Sequence, residues 1–122
     1  MANEQFPETF AQLKELLKTF ENRLIVKADA GEKYHLDART NPFKKDENLY
    51  FASVEIKKNY VSFHLFPVYM YPELLDDISP ELRKKMQGKS CFNFKKPDAE
   101  LAAQLKTLTE RSFKKFEAEN LV

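Results

Sequence analysis

His35 and Asp37 stand two residues apart, a spacing that puts both side chains on one face of a β-strand, and His64 is the only other histidine of the chain. Two imidazoles and a carboxylate are an adequate donor set for zinc or ferrous iron, which makes His35, Asp37 and His64 the candidate metal ligands. The same spacing also arises on any strand with a solvated side. Cys91 is the single cysteine. A nucleophilic thiol needs a positive neighbour that favours the thiolate and a histidine brought close in space. Lys89 offers the first, and neither histidine lies near Cys91 in sequence. No nucleophile, general base and orienting group can be assembled from these residues, so no catalytic residue is assigned and an enzyme is not expected. Gly88-Lys89-Ser90 ends like a phosphate-binding loop, but Arg83 stands where that loop needs its first glycine.

Two other sets point to binding. Between Pro80 and Pro97, Arg83, Lys84, Lys85, Lys89, Lys95 and Lys96 face the single acid Glu81, in a chain of net charge +1. Such a patch is a candidate anion site, for phosphate or single-stranded nucleic acid. Phe92 and Phe94 within it are expected in the core, and the lysine pairs elsewhere (Lys44 and Lys45, Lys57 and Lys58, Lys114 and Lys115) suit solvated faces, so nucleic acid is not the favoured partner. Tyr60, Phe66, Tyr69, Met70 and Tyr71 cluster where a strand leaves the sheet. Aromatic rings with polar tips line concave ligand sites, which makes Tyr60, His64, Phe66, Tyr69 and Tyr71 the candidate ligand-binding set. The alternative is a satellite hydrophobic cluster or a dimer contact.

These residues must be positioned by an α+β fold. Phe6, Phe10, Leu13, Leu17 and Phe20 recur every three or four residues behind Pro7, which predicts a helix over 7–21. Leu24, Val26 and Ala28 alternate with Arg23, Ile25 and Lys27, and a turn at 29–32 precedes Tyr34 and Leu36, so a first hairpin is expected. The stretch 39–48 has no period and reads as a loop. A second hairpin sets Tyr50, Ala52, Val54 and Ile56 against Phe51, Ser53 and Glu55, then turns into Val61, Phe63 and Leu65. One helical turn follows at Tyr71 to Leu75. Ser79-Pro80-Glu81 starts a short helix that Gly88 can close, Ser90, Phe92 and Phe94 make a fifth strand, and Pro97-Asp98 opens a last helix carrying Leu101, Leu105, Leu108 and Phe116. The expected architecture is a single domain over 1–122, an antiparallel five-stranded sheet packed on one face by N- and C-terminal helices.

The run Lys58-Asn59-Tyr60-Val61-Ser62-Phe63-His64-Leu65, then Pro72-Glu73-Leu74-Leu75, then Met86-Gln87-Gly88-Lys89-Ser90-Cys91-Phe92-Asn93-Phe94 and Asp98, resembles the bacterial YdhG-like domain of unknown function. The resemblance implies a sheet-and-helix fold compared with frataxin. It also implies an intracellular carrier or partner-binding role, iron being the cargo described for some members.

The bulk composition agrees with a small binding module. Twenty basic against nineteen acidic side chains leave no global field to recruit nucleic acid or an anionic membrane. Only two glycines leave little room for glycine-rich nucleotide loops. A lone cysteine and the polar start Met1-Ala2-Asn3-Glu4-Gln5 point to a reducing cytoplasmic location, and no apolar run reaches membrane-spanning length. The expectation is a cytoplasmic monomer or homodimer that binds a ligand or protein partner, with cofactor unknown.

Overall fold

The computed structural model describes residues 4–122; residues 1–3, part of the polar start, lie outside the described residues. Helix α1 spans Phe6–Lys18 with Pro7 in its first turn and buries Phe6, Phe10, Leu13, Leu16 and Leu17. It ends earlier than its periodicity suggests. The Thr19 hydroxyl donates to Leu16 O, a 3-10 turn follows at Glu21–Arg23, and Phe20 swings onto Phe51 and Phe113, at ring distances of 6.3 and 5.4 Å. Packing of that one ring against the core overrides another helical turn.

Strands β1 (Ile25–Ala30) and β2 (Lys33–Ala38) form the first hairpin, with a register shift between Val26 and Ala28. That irregularity breaks the expected alternation and leaves Val26 exposed on the edge of the sheet. Strands β3 (Leu49–Ile56) and β4 (Val61–Leu65) form the second hairpin. Here the partners of β2 step from Leu36 opposite Ala52 to Asp37 opposite Tyr50, so Phe51 is an extra residue in the ladder. Bulges of this kind re-aim side chains. Phe51 and Ala52 are both fully buried, whereas Tyr50 and Ser53 share the opposite face, joined by a hydrogen bond between their hydroxyls. A strict alternation would put Tyr50 and Ser53 on different faces.

Past β4, α2 (Pro67–Met70), a 3-10 turn at Pro72–Leu75 and α3 (Pro80–Arg83) carry the chain across the end of the sheet. Ser79 Oγ caps α3 by accepting from the Leu82 amide at 3.1 Å. Gly88 does not close this helix. It sits at φ 81°, in the left-handed region, in the turn between a two-residue strand β5 (Met86–Gln87) and β6 (Cys91–Phe94). The sheet therefore has six antiparallel strands rather than five, in the order β1-β2-β3-β4-β6-β5. Two residues are too few for a period to mark β5 in the sequence.

Helix α4 (Ala99–Ala118) begins where Asp98 Oδ1 accepts from the Leu101 amide at 3.0 Å, and Gln12 of α1 accepts from the Asp98 amide at 3.0 Å. Helix α1 packs on β3 and β4, and α4 packs on α1, α2 and α3. The core between helices and sheet centres on Phe51, edge-on to Phe113 and Phe116 at 5.9 and 5.7 Å. Phe92 and Phe94 lie in this core as expected.

Candidate functional site

The helices cover one face of the sheet, and the other face gathers the polar chemistry. His35, Ser53, His64 and Cys91 are direct cross-strand partners in a single row over β2, β3, β4 and β6. Beside that row lie Asp37 and Tyr50, opposite one another. His35 Nε2 and Asp37 Oδ1 are 2.6 Å apart. The Tyr50 ring stacks on His35 at 4.5 Å and packs against His64 at 4.7 Å. Both nitrogens of His64 are engaged, Nε2 with Ser90 Oγ at 2.8 Å and Nδ1 with Cys91 Sγ at 3.5 Å.

Partial burial favours the neutral forms of Tyr50, His64 and Cys91. It pushes the Tyr50 hydroxyl up to about 12, against the opposing effect of the Ser53 hydrogen bond. Burial, and secondarily the charge of His35, holds the His64 imidazole below its ordinary value. Burial also raises the Cys91 thiol, although the Ser62 hydrogen bond and the Lys57 ammonium pull it down. A protonated thiol beside an uncharged imidazole is the opposite of the ion pair that a nucleophilic cysteine requires. Lys89, the neighbour in sequence, places its ammonium 6.0 Å from the Tyr69 ring centroid. Lys57, from the turn after β3, is the cation that acts on the thiol.

The proposed metal set is not assembled. His35 and Asp37 come together, but Tyr50 packs against both histidines, His35 is spent on Asp37, and His64 is spent on Ser90 and Cys91. Among the described residues no three His, Cys, Asp or Glu side chains are grouped to hold a metal ion. The bulge at Phe51, which turns Tyr50 outward, is the physical reason.

The aromatic set is brought together in part. Tyr60 and His64 line one cleft of about 240 Å³ with Tyr50, Ser53, Ser62 and Cys91. Phe66 lies parallel to Tyr50 at 5.9 Å and 4°, and stacks on Tyr69 at 5.6 Å, so rings run in a line from His35 to Tyr69. Tyr71 belongs elsewhere. It turns to the helical layer, edge-on to Phe116 at 6.4 Å, with Lys115 Nζ 4.8 Å from its ring centroid.

The basic set divides in two. Lys84, Lys85, Lys95 and Lys96 line a cleft of about 590 Å³ that Tyr60 also borders. Arg83 and Lys89 line another of about 540 Å³ with Tyr69, and Arg83 is tied there by a 2.6 Å bond to Leu75 O. Tyr50 is the site residue that sequence alternation misplaces, and Phe51 is its counterpart in the core. The signal that could have found it is the adjacent apolar pair Phe51-Ala52, flanked by polar residues on both sides, which a regular strand cannot bury on one face.

No family model, no curated protein and no solved structure matches this chain.

Proposed function

We propose that this protein is a small binding module that takes one planar group of a ligand into the cleft on the helix-free face of its sheet. The observation that carries the reading is the cleft itself. It is lined by Tyr60, Tyr50 and His64, by Ser53 and Ser62, and by the Glu55–Lys57 ion pair. Its volume of about 240 Å³ suits one ring system, since whole drug-sized ligands fill pockets of roughly 300–1,000 Å³. The serine and tyrosine hydroxyls can donate and accept hydrogen bonds, and stacked rings present a rigid wall. The neutral Cys91–His64 contact favours binding over catalysis. A place among the YdhG-like proteins, with their frataxin-like arrangement of sheet and helices, accords with this reading.

The test is an amide-resolved NMR titration with indole, adenosine and benzamide, three uncharged planar probes. Shifts centred on Ser53, Tyr60, Ser62, His64 and Cys91, lost in Tyr60→Ala and retained in Tyr71→Ala, are expected. Shifts that ignore Tyr60→Ala would overturn the reading.

A further inference from the structure

The fold divides the basic segment between two clefts that meet at the edge strand β5. The larger holds Lys84, Lys85, Lys95 and Lys96, and no acid among the described residues lines it. Among the described residues, Lys84, Lys85 and Lys96 make no ion pair with an acid. Three such ammonium groups, at Lys84, Lys85 and Lys96, around one concavity raise its potential and favour an anion. Asn93 adds a second feature. Its Nδ2 donates to Gln87 Oε1 at 2.7 Å, while its Oδ1 is buried with no hydrogen-bond partner among the described residues. That oxygen is an unmet acceptor on a residue that lines the cleft.

Each cleft sets cations beside an aromatic ring. Tyr60 borders the larger, Tyr69 the smaller with Arg83 and Lys89, and Met86 of β5 lines both. Tyr69 is 53% exposed; its ring stacks on Phe66 at 5.6 Å and has the Lys89 ammonium 6.0 Å from its centroid, so a base on this ring would meet a cation as well. Tyr60 precedes and Tyr69 follows the five-residue β4, a strand roughly 17 Å long. A single nucleotide cannot touch both rings, whereas a chain of several can.

We propose that this edge of the molecule binds single-stranded nucleic acid, with phosphates at the four lysines and bases on Tyr60 and Tyr69. Ion pairing along the backbone with sequence-tolerant stacking is the usual physics of such sites. The inference rests on the function proposed above, because Tyr60 belongs both to the basic cleft and to the cleft of the helix-free face. Ring-plus-phosphate chemistry also describes a mononucleotide, and the experiment separates the two.

Fluorescence anisotropy with labelled decauridine at several salt concentrations is the test. The affinity should fall with salt, and Lys84→Gln/Lys96→Gln should flatten the slope of log K against log salt by about 1.4, about 0.7 for each lysine–phosphate ion pair removed. Tyr60→Ala should weaken binding about tenfold at every salt concentration and leave the slope in place. An unchanged slope in the lysine variant, equal affinity for a duplex of the same length, or uridine monophosphate binding as tightly as the decamer would each overturn the proposal. If decauridine does not bind while indole still shifts Tyr60 and His64, this inference falls and the planar-ligand reading stands. A lysine-dependent slope with Tyr60→Ala at full affinity overturns the placement of the bases.

Discussion

Tyr50 packs its ring against both histidines of the chain, 4.5 Å from His35 and 4.7 Å from His64. One extra residue in β3, Phe51, puts it there. The contact turns what would be two imidazoles facing each other across Ser53 into an aromatic seam, and it gives the helix-free face the character of a binding surface.

Removing the Tyr50 hydroxyl and removing its ring should have separable effects. Tyr50→Phe loses the bond to Ser53 and should cost about 1 kcal/mol. Tyr50→Ala also strips the ring from His35, His64 and Phe66 and should cost about 3 kcal/mol. Urea midpoints at constant m measure both, and equal costs would contradict the stacking role.

The pH dependence of stability should carry the signature of His64. Because burial and His35 hold its folded value down, the unfolded chain takes up the proton first as pH falls through about 6.5. Above that pH neither state is protonated at this site and the group has no effect. Stability is therefore lost as pH falls from about 6.5 to the depressed folded value. Urea midpoints of the wild type should decline more steeply across that window than those of His64→Gln; parallel curves would count against a neutral, buried imidazole.

Cys91 should be a slow thiol. Burial raises it above the ordinary 9.0, and Lys57 works in the other direction. Alkylation by iodoacetamide near neutral pH should be slower than for N-acetylcysteine, and slower again in Lys57→Gln, since the thiolate fraction sets the rate. A rate matching the free thiol would refute the assignment.

Phe51 should be the most costly single truncation on β3. It is fully buried among Phe20, Phe113 and Phe116, so Phe51→Ala should lose about 3–5 kcal/mol. A loss under about 1 kcal/mol would mean that the bulge can collapse to fill the space.

Much of this architecture is legible in the sequence because local rules and the tertiary fold agree. The alternation of Val61, Phe63 and Leu65, the Ser79 cap and the Asp98 cap all operate as the residues suggest. What is not legible depends on register. The bulge at Phe51 reverses Tyr50, the β5 pairing exists only because β6 is there to accept Met86 and Gln87, and Gly88 turns that hairpin instead of closing α3. The candidate site divides along the same line. Tyr60 and His64 sit on a regular strand or just before it and share a cleft, whereas Tyr71 lies past the irregular turn and joins the helical layer. His35, Asp37 and His64 share a face but fail as a metal set because a ring that alternation assigns to the other side packs against both histidines.

The most direct measurement is a set of intermolecular NOEs between bound indole and the aromatic protons of the protein. The account predicts contacts from indole to the rings of Tyr60, Tyr50 and His64, the walls of the cleft on the helix-free face. Contacts to Tyr71 and Phe116 in the helical layer, or none to Tyr60 at a concentration that saturates the amide shifts, would contradict it.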